Sequence, residues 1–225
     1  MIDFHTHTFF SDGVLNPAEH IRRALVAGYK VLGITDHVDF SNIEFVYHSM
    51  LKIISEISDS GWDIKVIPGV EITHVPVNKI EKIVNAARDL KIPLVIVHGE
   101  SPVEPVEKGT NRAAIEAGVD ILAHPGLIEP VDVKRASELG ISLEITARKG
   151  HSITNGHVAK IAGEYETLLV LDTDAHAPAD FFTPLFRDTV LLGCGLDEKR
   201  IILLNQNMKT ISEKCLLKLD KEVNK

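Results

Sequence analysis

Short apolar runs alternate with helical patterns along most of this chain. The runs Val31–Thr35, Ile64–Val70, Ile92–Val97, Val119–Ala123, Ile141–Ile145 and Leu168–Leu171 are dominated by Val, Ile and Leu, the composition of strands covered on both faces. Between them apolar positions recur at three- and four-residue spacing, which predicts helices over 16–27, 43–58, 78–90, 111–117, 131–139 and 155–162. The first carries its own punctuation: Asn16 is an N-cap, Pro17 takes the first helical position, and Gly28 stops the helix. Together with the strand-like segment that begins the chain, this makes roughly seven β-then-α units. Such alternation implies a parallel sheet with right-handed crossovers.

Beyond residue 176 the pattern changes. Phe181, Phe182 and Phe186 form an apolar cluster expected to pack the last helix of the sheet. Two further helices, over 197–204 and 207–217, should cover its wall. The charged end, 218–225, is expected to fray. No linker or shift in composition divides the chain, so residues 1–225 are expected to form a single domain with the segment 178–217 packed on it.

Composition narrows the function classes. Apolar residues at 44% and charged residues at 25% are ordinary for a globular protein, and no apolar run approaches the ~18 residues of a membrane helix. The N-terminus lacks a signal-peptide pattern, and Cys194 and Cys215 have no metal-type spacing; both features fit a reducing cytoplasm. A net charge of −8 argues against a nucleic-acid backbone as a standing partner. Nothing in the sequence speaks to oligomeric state. Eleven histidines, against eight phenylalanines and one tryptophan, are the unusual feature.

The histidines explain where chemistry is to be sought. His5 and His7 stand two apart on an extended segment, so both imidazoles point to one face and can reach one cation. The event then repeats: the following apolar runs end in Asp36-His37, Glu71, His98, His124 and Asp174-Ala175-His176. In an open sheet, strands roughly 4.8 Å apart would spread these residues over tens of ångströms. In a closed barrel every C-terminal strand end meets at one mouth. The expected fold is therefore α/β, a distorted (β/α)7 TIM-like barrel. Nine His, Asp and Glu side chains at one rim would repel or lack partners unless cations join them. Mixed imidazole and carboxylate donors suit Zn, Mn or Fe.

The series His5-Thr6-His7, Asp12, Asp36-His37, Glu71, His98, His124-Pro125 and Thr173-Asp174-Ala175-His176 resembles the motifs of the PHP domain family, named for polymerase and histidinol phosphatase. The resemblance spans residues 2–176. It implies a trinuclear divalent-metal centre that hydrolyses phosphate esters through a metal-bridging hydroxide. By that resemblance His5, His7, Glu71 and Asp174 would hold one ion. Glu71, His98 and His124 would hold a second, and Asp12, His37 and His176 a third.

The remaining roles are read from position. Asp36 is expected to orient a metal-bound imidazole, and the leaving oxygen's proton to come from a water on the third ion, from His176 or from Asp36. Arg148, past the sixth strand, is the expected catalytic cation for the phosphate, with Lys149, His151, Arg112 and Arg187 as weaker substrate contacts. Glu100, Glu144 and His74 lie near the mouth in sequence, whereas His20, His48 and His157 read as ordinary helix residues. The expected substrate is a small phosphorylated metabolite such as histidinol phosphate. The alternatives are a 3'-5' exonuclease or phosphodiesterase, a non-catalytic RNA-binding barrel related to a ribonuclease P subunit, and a metal-dependent amide hydrolase.

Overall fold

A computed structural model describes residues 1–223 of the chain. Its strands are β1 (Ile2–Asp3), β2 (Val31–Ile34), β3 (His37–Val38), β4 (Lys65–Ile72), β5 (Leu94–His98), β6 (Ile121–Ala123), β7 (Ser142–Thr146) and β8 (Leu169–Asp172). All pair in parallel, in the order β1-β2-β4-β5-β6-β7-β8, and β3 continues β2 along the far half of β4. The ladder lapses where Ile34 faces Pro68, which has no N–H to give, and resumes where His37 faces Glu71. Seven staves thus make a nearly closed, TIM-like α/β barrel.

The last stave meets the first without a regular ladder. One bridge joins Thr6 to Ala175, with the His7 N–H donating to the Ala175 carbonyl at 2.8 Å. Below it, side chains replace strand pairing. The Phe4 N–H donates to Asp172 Oδ1 at 2.6 Å, and Thr173 Oγ1 donates to Asp3 Oδ2 at 2.6 Å. Both carboxylates are fully buried. Burial raises the Asp3 carboxyl to about 6, and burial together with the neighbouring Asp3 lifts Asp172 well above the usual range.

Helices α1 (Pro17–Val26), α2 (Ile43–Ser58), α3 (Ile80–Asp89), α4 (Thr110–Glu116), α5 (Pro130–Leu139) and α6 (Asn155–Glu164) follow their strands as the periodicity predicts. The Asn16 side chain accepts from the Glu19 N–H, closing α1 at its start. The core is continuous, running from strand residues such as Ile67, Val95 and Leu143 outward to Ile21, Ile83 and Val133 on the helices.

The C-terminal part departs from expectation. After α7 (Pro184–Gly193), the two helices expected over 197–204 and 207–217 are one, α8 (Glu198–Val223). Asn207 does not interrupt it, because its side chain turns inward and donates to Ser142 Oγ and the Leu169 carbonyl at 3.0 Å each. Cys215 Sγ and Lys218 Nζ reach the Pro93 carbonyl in the same way. Thus α8 crosses the N-terminal ends of the strands, opposite the mouth, rather than lying along the wall. The segment expected to fray is helical to Val223, and residues 224 and 225 lie outside the described residues. Phe182 is buried and Phe181 partly so, while Phe186 is half exposed. No helix among the described residues is long and apolar enough to cross a membrane.

His20 is not on an exposed helical face. It is fully buried against Phe181, ring centroids 5.1 Å apart, and neither ring nitrogen has a hydrogen-bond partner among the described residues. Burial lowers its pKa to about 4. The unfolded chain takes up this proton near pH 6.5 and the folded chain only near 4, so stability is lost as pH falls through that window. Urea unfolding of the metal-free protein at pH 7 and pH 5 should show His20→Leu spared about 2 kcal/mol of the loss that the parent chain suffers. Equal losses in the two proteins would count against this account.

Candidate metal centre

The C-terminal ends of the strands deliver the titratable groups to one rim. The loop after β1 carries His5 and His7, β3 begins at His37, β4 carries Glu71 near its end, β5 ends at His98, and His124 follows β6. Asp174 and His176 follow β8, and Asp12 comes from the turn after His7. Two of these residues hold backbone that L-amino acids seldom adopt, His124 at φ 25° and Asp174 at φ 52°. Such strain at polar positions persists only where the surroundings impose it.

Four donor atoms define the centre of the cluster. His5 Nε2 lies 3.2 Å from Glu71 Oε2 and 3.7 Å from Asp174 Oδ1, and His7 Nε2 lies 3.5 and 3.1 Å from the same two oxygens. Donors held at about 2.1 Å around a tetrahedral ion are about 3.4 Å apart. Among the described residues, His5 Nε2, His7 Nε2, His124 Nε2 and Glu71 Oε1 are buried without a hydrogen-bond partner, while Glu71 Oε2 has His37 Nδ1 at 2.7 Å. Orphaned buried ring nitrogens around a carboxylate at ligand spacing are the signature of groups made for a cation.

Two further groups flank this one. Glu71 Oε1 faces His124 Nε2 at 3.8 Å, and the ring of His124 packs edge-on against His98 with centroids 4.3 Å apart. On the other side, His7, Asp12, His37 and His176 bring one donor atom each within 4.8 Å of the others. His176 Nε2 and His37 Nε2 lie 3.1 and 3.6 Å from Asp12 Oδ1. The structure therefore gathers all nine expected residues at one mouth.

Charge is unbalanced there. Burial opposes ionisation of His5, yet the Glu71, Glu144 and Asp174 carboxylates hold it well above the usual range. Burial and the neighbouring His37 push His7 well below it. Burial would raise Glu71, but His5 and His37 hold it well below the usual carboxylate range. His37 is carried to about 9 against its burial, chiefly by Glu71. Imidazoles a few ångströms apart cannot all charge, so protons alone do not satisfy this cluster. The donor set fits divalent ions.

Glu144 is the residue the sequence undervalued. It sits mid-strand in β7, fully buried, and takes Nδ1 of His5 at 2.6 Å and Nδ1 of His124 at 2.9 Å. Both imidazoles are thereby turned so that Nε2 points to Glu71, the carboxylate–imidazole pairing that fixes a ligand's tautomer. A carboxylate between Leu143 and Ile145 in an apolar strand was the available signal. Glu104 was missed altogether, lying in an irregular acidic loop. Its Oε2 is 3.1 Å from His98 Nε2 and 3.5 Å from His74 Nε2.

Other expected residues are placed differently. Asp36 contacts no imidazole directly. It accepts from the Thr8 N–H, Thr8 Oγ1 and Ser11 Oγ, each at 2.7 Å, and so pins the turn that presents His7 and Asp12. Arg112 lies in α4 and is ion-paired to Asp132 of α5 and to Glu116, on the outer layer. Arg187 lies in α7 beside Asn205 of α8 and Met1, at the end of the barrel opposite the mouth. Lys149 is exposed and unpaired among the described residues. Glu100 accepts from the Gly109 and Asn111 N–H groups at the start of α4. Arg148 does reach the rim, with Nε 3.9 Å from Asp174 Oδ2 and a hydrogen bond of 3.3 Å to Asp180.

A PHP domain family model matches residues 3–213. An uncharacterized protein of Methanocaldococcus jannaschii is 48% identical over 200 residues, covering 88% of this chain and 92% of that protein. A probable phosphatase of Shewanella pealeana is 31% identical over 197 residues, covering 78% of this chain and 77% of its own. Among solved structures, a chain of archaeal ribonuclease P with mature tRNA has a TM-score of 0.69 at 19% identity, covering 97% of this chain and 91% of that one. This last likeness shows the fold alone.

Replacing Glu144 by Gln keeps the volume but leaves a single acceptor oxygen, and an NH2 donor, where the His5 and His124 Nδ1–H groups need one acceptor each. Divalent-metal affinity, read by calorimetric titration, should fall by about 10–100-fold. Unchanged affinity would mean that Glu144 merely fills space.

Proposed function

This chain belongs to the PHP domain family, and from that premise we propose that it is a metal-dependent phosphoesterase acting on a small phosphorylated metabolite. One observation carries the reading. Glu71 is fully buried among imidazoles, Oε2 lying 3.2 and 3.5 Å from His5 and His7 Nε2 and 2.7 Å from His37 Nδ1, and Oε1 3.8 Å from His124 Nε2. A carboxylate so placed is suited to join two ions.

In this reading His5, His7, Glu71 and Asp174 hold the first ion; Glu71, His98 and His124 hold the second; Asp12, His37 and His176 hold the third. Divalent ions bound there supply an activated water and positive charge against the phosphoryl oxygens. The chain's own residues do the positioning. Glu144 keeps His5 and His124 in the tautomer with a free Nε2, and Asp36 keeps the Thr8–Asp12 turn in place. Arg148, steadied by Asp180, offers a planar guanidinium to a phosphate oxygen at the rim. Of the proton donors the sequence left open, a water on the third ion, His176 and Asp36, this reading assigns His176 to the third ion's shell and Asp36 to the Thr8–Asp12 turn.

The mouth opens through a cleft of about 460 Å³ lined by Asp12, His37, His74 and Glu104, large enough for a small metabolite. The net charge of −8 disfavours a nucleic-acid backbone. A hydrolysis screen of the metal-loaded protein tests the reading, with phosphomonoesters including histidinol phosphate, phosphodiesters and single-stranded DNA as substrates. Turnover of monoesters alone is expected. Degradation of DNA would replace this reading with a nuclease, and RNA binding without turnover would favour a role like that of the ribonuclease P protein. Glu71→Ala should abolish turnover and, by elemental analysis, lower the metal content by more than one ion. Full metal content in that variant would contradict the bridging role.

A further inference from the structure

One group at the mouth with metal-ligand spacing includes a histidine that the motif series does not contain. His151 opens a short 3₁₀ turn, His151–Thr154, in the loop between β7 and α6. It is 6% exposed, and its Nδ1 is buried without a hydrogen-bond partner. His98, His124 and His151 bring one donor atom each within 4.8 Å of one another. The rings of His124 and His151 stand edge to face with centroids 4.3 Å apart. The position is built rather than incidental. Gly150 has φ +91°, and Val103 packs on it so closely that a β-carbon there would sit 3.2 Å from a Val103 methyl. That contact joins the His151 loop to the loop carrying Glu104, whose Oε1 lies 3.4 Å from His151 Nε2 and whose Oε2 faces His98.

We propose that His151 is a further ligand of the second ion, beside His98, His124 and Glu71. The inference rests on the phosphoesterase reading and deepens it, since it concerns the make-up of one ion's shell. A shell of three imidazoles and one shared carboxylate differs from that of the first ion, which has two of each. Imidazole-rich donor sets favour zinc and iron over manganese and magnesium. The second position is therefore the selective one, and the half-exposed Glu104 stands beside it.

Cobalt spectroscopy on the full chain tests this. The native thiols cannot report there, because Cys215 is buried against Pro93 at the opposite end of the barrel and Cys194 is bonded to Leu191 in α7. Cobalt-loaded His151→Cys should gain a thiolate-to-cobalt charge-transfer band that the parent lacks. His151→Gln should bind one Co²⁺ about tenfold or more weakly, read by competition with a chelating dye. A folded, cobalt-loaded His151→Cys without the band overturns the proposal. If that variant fails to fold, unchanged Co²⁺ affinity in His151→Gln does so instead. Either result with normal metal uptake by the parent leaves the phosphoesterase reading standing, whereas a parent chain that takes up no divalent ion overturns both.

Discussion

Two buried carboxylates, rather than a run of backbone bonds, join the last strand of this barrel to the first. Asp3 holds Thr173 through its hydroxyl at 2.6 Å and its N–H at 3.3 Å, and Asp172 holds the Phe4 N–H. Both acids lie two residues before a candidate ligand, Asp3 before His5 and Asp172 before Asp174. The seam that closes the sheet therefore also sets the heights at which the first and last donors reach the mouth. Had the sheet stayed open here, His5 and Asp174 would stand at opposite edges, and Glu71 would face neither.

Closure creates an electrostatic problem as well as a site. Burial penalises charge on His5, His7 and Glu71 alike, while their mutual proximity rewards it for some and penalises it for others. No assignment of protons satisfies every group. The fold tolerates this because rigid surroundings over-determine the positions: Glu144 clamps two imidazoles, Asp36 clamps a turn, and the positive φ angles at His124 and Asp174 are held by the strands before them. Preorganisation of this kind means that bound cations find their ligands in place and need not reorder them.

The two ends of the barrel are built by opposite rules. At the mouth, polar groups are buried with atoms left unpaired. At the base, α8 lays Asn207, Cys215 and Lys218 against strand-end carbonyls and a hydroxyl, and each of the three is hydrogen-bonded. Stability thus resides below and chemistry above, the division expected when active residues sit on loops carried by a rigid scaffold.

Alternation of apolar runs with helical spacing was enough by itself to determine a parallel sheet covered on both faces, since its strands are dominated by Val, Ile and Leu; the His, Asp and Glu residues at the strand ends were what chose a closed barrel over an open sheet. The strand-end donors were legible for the same reason: a His, Asp or Glu closing an apolar run has one place to be. What the tertiary structure alone decided is where side chains go once the elements pack. His20 and His151 are polar residues whose burial no local pattern announces. Arg112 and Arg187 follow the strands in sequence yet belong to helices paired elsewhere. Asn207 looks like a helix break until Ser142 and Leu169 supply partners for its amide. Glu144 and Glu104 acquire meaning only from imidazoles that lie between 6 and 139 positions away, at distances a linear pattern does not encode.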